Sequence, residues 1–171
     1  MKIFVVNSPW GRKLAKRVLE ILRDHGKVNS LTDHQLVITE SENWVICAAA
    51  LEEIKVDQLL VVALRDAPKL PAKLRCDVLL IPSDAEISCQ GSASVITYGQ
   101  LGKDTITLSS VDRDEAVVDL QRQILTLSGN TIEPCEIVVK IREQLDNDFI
   151  LAVASILILT DNVPLLQYII I

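Results

Sequence analysis

The sequence predicts an α/β protein: a three-layer domain built around a mainly parallel sheet. Short runs rich in Val, Ile and Leu recur with little polar alternation, the pattern of strands covered on both faces. Segments with apolar residues at helical spacing lie between those runs, the alternation expected of a parallel sheet with crossover helices. The apolar share, 49% of 171 residues, is ample for a packed core and argues against disorder. A single domain over residues 1–171 is the expected organisation, with no internal repeat and no long linker.

Taken in order, Lys2–Asn7 reads as a β-branched strand and Ser8-Pro9-Trp10-Gly11 as a turn. Arg12–His25 carries Leu14, Val18, Ile21 and Leu22 at helical spacing, stopped by Gly26. Gln35–Thr39, Gln58–Leu64, Asp77–Ile81 and Ser94–Tyr98 read as further buried strands. Glu42–Ile54 is expected to be helical, and Ala67–Ala72 is a proline-punctuated link. Thr105–Val111 reads as another strand. Asp112 is then expected to cap a helix, with Glu115 completing a capping box and Val117, Leu120, Ile124 and Leu127 forming its buried stripe. Gly129-Asn130 would close that helix. Ile132–Ile141 is a strand interrupted by Pro134, which points to an edge position or a bulge. The last helix, near Asn147–Leu159, is apolar all round and should be central.

Charge and cysteine usage narrow the function classes. Lys and Arg number 17 against 23 Asp and Glu, a net charge of −6 with no basic block, so no nucleic-acid partner is expected. Ile3–Val6 is too short for a signal-peptide core. Phe149–Leu159, bounded by Asp148 and Thr160-Asp161, falls short of the roughly 20 residues of a bilayer span, so no membrane segment is expected either. Cys47, Cys76, Cys89 and Cys135 are scattered without a C-x-x-C, which suggests neither a zinc site nor a disulfide framework. A reduced cytoplasm is the expected location.

The first strand, turn and helix hold the candidate binding residues. Phosphate sites of P-loop and Rossmann-like folds lie where backbone N–H groups, a helix N-terminus and a lysine converge. A working P-loop ends in Gly-Lys-Ser/Thr, with glycine for close approach, lysine for the β/γ-phosphates and a hydroxyl for magnesium. Here the stretch is Asn7-Ser8-Pro9-Trp10-Gly11-Arg12-Lys13-Leu14. Pro9 lacks an N–H donor, Trp10 adds bulk where a phosphate cradle needs room, and no hydroxyl follows Arg12. Ser8, Gly11, Arg12 and Lys13 are therefore candidates for a weak anion site only, with an ordinary strand–helix turn as the alternative.

The segment IFVVNSPWGRKLAKRVLEILRDHGKV resembles the opening of the central ATPase domain of Mur ligases and folylpolyglutamate synthases, where a strand precedes G-T-N-G-K-T-T and a helix. On that pattern Gly11 keeps the second glycine, Arg12 replaces the phosphate lysine and Lys13 the magnesium hydroxyl. The likeness continues in order through most of the chain. Leu36–Ser41 resembles the strand bearing the family's metal-linked glutamate, here Glu40. Leu59–Asp66 resembles the strand before its Asp-His pair, with Ala67 in place of the histidine. Ala72-Lys73 is similar to the pair whose lysine is carbamylated, and Asp84 matches an aspartate of its Asn-x-Asp-Asp stretch. Val95-Ile96-Thr97-Tyr98-Gly99 reproduces its I-T-Y-G, and Phe149–Asn162 resembles its N-x-L-A-A-I-A-x-A helix. The family's flanking domains, one for the UDP-linked substrate and one closing over ATP, have no counterpart in this sequence.

The resemblance implies a degenerate central domain. A non-catalytic binding or scaffold role, tied to bacterial cell-wall chemistry, is the leading expectation, with no cofactor and no metal. Two other readings stay open. One is an ATP- and magnesium-dependent amide-forming ligase completed by partner chains, in which Arg12 would hold phosphate while Glu40 and Lys73 assist the metal. The other is an anion or nucleotide sensor that does not hydrolyse its ligand. Against these stand blander readings, with Glu40 and Lys73 as solvated surface groups. Cys47, Cys76 and Cys135 are expected to be buried small residues and Cys89 an exposed thiol, while His25 complements a helix C-terminus and His34 lies in a polar turn. The apolar segment Val163–Ile171 is expected either to dock as a last strand on its own sheet or to face a partner, a second copy or another protein.

Overall fold

In the computed structural model, residues 1–25, 43–48, 57–67, 76–85, 93–141 and 145–167 are described. The predicted strand Gln35–Thr39 lies outside them. The chain is an α/β protein whose contacts gather into two compact units, Met1–Val95 and Ile96–Ile171. Among the described residues no helix is long and apolar enough to cross a membrane.

In the first unit, β1 (Lys2–Val6) is buried along its whole length. It pairs in parallel on one side with β2 (Trp44–Ala48) and on the other with β3 (Leu59–Val62), and β3 pairs in parallel with β4 (Val78–Pro82). Alternate residues of these strands form one continuous core: Phe4 and Val6, Ile46, Leu59 and Val61, Leu79 and Ile81. Helix α1 (Pro9–Asp24) packs on β1 and β2 with Leu14, Val18, Ile21 and Leu22 buried, the stripe that the sequence predicts. The helix begins earlier than expected, because Pro9 is preset for the first helical position and Ser8 caps it. Since β2 and β3 flank β1 on opposite sides, the order of strands reverses at β1 while their direction stays the same, and the C-terminal ends of β1 and β3 form a topological switch point.

The helix expected over Glu42–Ile54 is corrected by β2. Trp44–Ala48 is a strand in register with β1 from Lys2↔Trp44 to Val6↔Ala48. Its Trp-Val-Ile-Cys-Ala sequence is rich in β-formers, and pairing on a buried strand outweighs helical periodicity.

In the second unit, β5 (Ser94–Tyr98, its first two residues in the first unit) is parallel to β6 (Ile106–Val111), joined at Tyr98↔Ile106. The remaining pairings there are antiparallel: β6 with β7 (Glu115–Leu120), β7 with β10 (Cys135–Lys140), and the small ribbon of β8 (Ile124–Leu125) with β9 (Thr131–Ile132). The strand pairings of the sheet are thus mostly parallel, as expected, and the antiparallel ones lie in the second unit. Pro134 separates β9 from β10, and β10 takes the edge position expected of a proline-interrupted strand.

The helix predicted from Asp112 is a hairpin instead. Asp112 Oδ1 accepts from the neighbouring Arg113 N (2.7 Å), and Asp112 N donates to Glu115 O (2.8 Å), so the chain reverses there. Glu115–Leu120 alternates half-buried with buried residues, and Ala116, Val118 and Leu120 face the core. That two-residue period, with β-branched neighbours at 117 and 118, is satisfied by pairing on both sides, which a helix would forgo. Gly129, at φ +82°, turns the chain between β8 and β9 rather than closing a helix.

Helix α2 spans Asn147–Leu159, as the sequence predicts, with every residue from Phe149 to Leu159 buried. Asp146 caps it by accepting from Asp148 N (2.9 Å). Ile150 packs in a cluster with Ala116 and Ile141, and α2 rests on β6. Val163–Gln167 is a 3₁₀ turn with Leu165 and Leu166 buried, rather than a last strand; residues 168–171 lie outside the described residues.

Candidate functional site

The switch point of the first unit gathers the sequence-predicted residues at the start of α1. An isolated helix N-terminus leaves its first N–H groups without intrahelical partners. Here each helical position of the first turn is accounted for. Pro9 has no N–H. Gly11 N donates to Ser8 Oγ at 2.8 Å. Trp10 N donates to Asp66 Oδ2 at 3.0 Å, and the Ser8 hydroxyl donates to Asp66 Oδ1 at 2.7 Å. Asp66 follows β3, so the neighbouring strand delivers a carboxylate onto the positive end of α1, whose own first turn holds no acidic residue.

Ser8 therefore works in both directions: its oxygen accepts from the helix and its proton goes to Asp66. It is extended (φ −155°, ψ 170°), as a capping residue must be, and 4% exposed. Gly11 is required by packing. A Cβ there would lie 2.3 Å from Val6 O and 2.9 Å from Ser8 Oγ, so glycine lets the helix approach β1 closely.

The basic residues lie on the outer side of this cap. Arg12 Nη1 donates to Asn7 Oδ1 at 2.9 Å. Lys13 Nζ stands 5.1 Å from the centroid of the Trp10 ring, a cation–π contact, and Trp10 is 43% exposed. The indole therefore reaches toward solvent, and Asp66 rather than the ring takes the helix donors. Nearby, Cys47 Sγ also approaches Asn7 Oδ1 (3.9 Å), and Arg65, beside Asp66, pairs with Asp84 from the turn after β4.

Ser8, Gly11, Arg12 and Lys13 are thus brought together. Glu40, Lys73, Cys89 and His34 lie outside the described residues. His25 ends α1, with Nδ1 2.8 Å from Ile21 O, at the helix C-terminus where the sequence puts it. Cys47 and Cys76 are half-buried, while Cys135, expected to be buried, is exposed at the start of edge strand β10. Among the described residues no three His, Cys, Asp or Glu side chains converge as a metal site.

Asp66, which the sequence marks only as the end of the stretch Leu59–Asp66, is not among the predicted site residues. Its signal is positional: an acid in the loop that follows a buried strand, at the C-terminal end where parallel sheets present their ligating groups. No family model matches the chain, and no curated protein matches it.

Proposed function

We propose that this chain is a non-catalytic binding or scaffold module on the plan of a Mur ligase central domain, three-layered and cytoplasmic, whose phosphate-binding corner is self-capped. The supporting observation is the pair of hydrogen bonds that Asp66 accepts from Ser8 Oγ and Trp10 N. A nucleotide phosphate entering there would have to displace a carboxylate already neutralising the helix end, and like charges oppose it while Asp66 stays. The sequence adds to this: Arg12 and Lys13 stand where the resembled motif needs a lysine and a hydroxyl, and Pro9 subtracts a donor.

Calorimetric titration with ATP and magnesium tests the proposal, with Arg12→Ala as control. No saturable heat at millimolar nucleotide, and no difference between the two proteins, is the expected result. Saturable Mg·ATP binding that disappears in Arg12→Ala would overturn it and favour the ligase or sensor reading.

A further inference from the structure

Strand β10 ends its sheet: among the described residues it pairs with β7 alone. The 3₁₀ turn 163–167 also packs against β10, but among the described residues no backbone hydrogen bond joins them. The register with β7 determines which backbone groups face the open side. Ile141 N donates to Asp114 O (2.9 Å), so the opposed residues Lys140 and Glu115 exchange no backbone bonds with each other. By the antiparallel alternation, Glu136, Val138 and Lys140 direct their N–H and C=O groups away from β7. The same residues share one face of the sheet, and all three are exposed, Val138 at 43%.

Their charges form a self-complementary pattern of acid, valine and base. Glu136 stands directly opposite Asp119 on β7, a like-charge cross-strand pair that among the described residues has no cation within ion-pair distance, although Ser109 Oγ donates to Glu136 Oε1 at 2.9 Å. Lys140 reaches Glu115 Oε2 at 2.8 Å, and its side chain remains 54% exposed, with further ammonium protons to donate.

We propose that the chain self-associates by antiparallel pairing of β10 with β10 of a second copy, about a two-fold axis at Val138. In that register Glu136 faces the partner's Lys140, Lys140 faces the partner's Glu136, and Val138 faces its own counterpart. Each opposed pair exchanges both backbone bonds, and each Glu136, opposite Asp119 within its own chain, gains a cation. A single strand edge covers less than the roughly 1,200 Å² of a stable complex, so the dimer is concentration-dependent. The inference does not depend on the reading of the α1 terminus.

Sedimentation of the full chain from micromolar to millimolar concentration tests it. The average mass should rise from 18.9 kDa toward twice that value. Glu136→Lys opposes lysines at both outer pairs and should weaken association about tenfold or more. Adding Lys140→Glu to that variant should restore association. Val138→Pro removes an N–H that β7 does not use, so it should abolish the dimer while the circular dichroism stays unchanged. A monomer at every concentration, or association indifferent to these substitutions in a folded protein, would overturn the proposal.

Discussion

Replacing Asp66 with alanine tests the cap at the start of α1 most directly. The substitution removes the acceptor of two hydrogen bonds, from Ser8 Oγ at 2.7 Å and Trp10 N at 3.0 Å, and the charge at the helix end. Bonds to a charged, buried group are worth about 1.5–3 kcal/mol each, but Asp66 itself is exposed, so about 0.5–1 kcal/mol apiece is the appropriate scale. The charge–dipole contribution adds about 0.3–1 kcal/mol. Asp66→Ala should therefore lower stability by about 2 kcal/mol, roughly thirtyfold in the folded-to-unfolded ratio. Asp66→Asn keeps one acceptor oxygen but turns an amide donor toward a donor, and should lose about half as much. Urea denaturation followed by circular dichroism measures both. Ser8→Ala removes the same hydroxyl bond together with the cap on Gly11 N, so the double variant Ser8→Ala/Asp66→Ala should cost less than the sum of the singles. Asp66→Ala within about 0.5 kcal/mol of wild type, or strict additivity in the double variant, would refute the cap as described.

Two further perturbations address other parts of the structure. Gly11→Ala places a Cβ 2.3 Å from a backbone oxygen of β1, which must shift, so a loss of about 3 kcal/mol is expected in the same urea experiment. Asp161, past the end of α2, is pushed up by partial burial, but hydrogen bonds from Asn130, Thr126 and Ser128 outweigh this and hold its carboxyl below the ordinary aspartate value of 3.8. Because the folded value is the lower one, the unfolded chain takes up the proton first as pH falls. The contribution of Asp161 is thus complete above about pH 5 and lost as the solution is acidified through and below 3.8. The gap in urea midpoint between wild type and Asp161→Asn should be constant from pH 5 to 7 and close progressively toward pH 2.

The sequence alone determined the elements whose burial is uniform. Helix α2 is apolar on every face and bounded by Asp146 and Thr160, so its span is readable without knowledge of its neighbours. The runs Lys2–Val6, Leu59–Val62 and Val78–Pro82 are equally unambiguous, because continuous β-branched and aliphatic runs suit strands covered on both sides. The same is true of the grouping of Ser8, Gly11, Arg12 and Lys13, which are near neighbours in the chain.

Tertiary pairing decided the segments with two compatible periods. In Asp112–Leu127, Val117, Leu120 and Ile124 satisfy helical spacing, while Ala116, Val118 and Leu120 satisfy alternation; pairing with β6 and β10 selects the strand. Trp44–Ala48 becomes a strand because β1 offers it a row of backbone partners, a contact that local spacing does not encode. The cap is the clearest case, since Ser8 and Asp66 lie 58 residues apart. A motif can show that a helix N-terminus follows a strand, but only the order of strands brings a particular carboxylate to it.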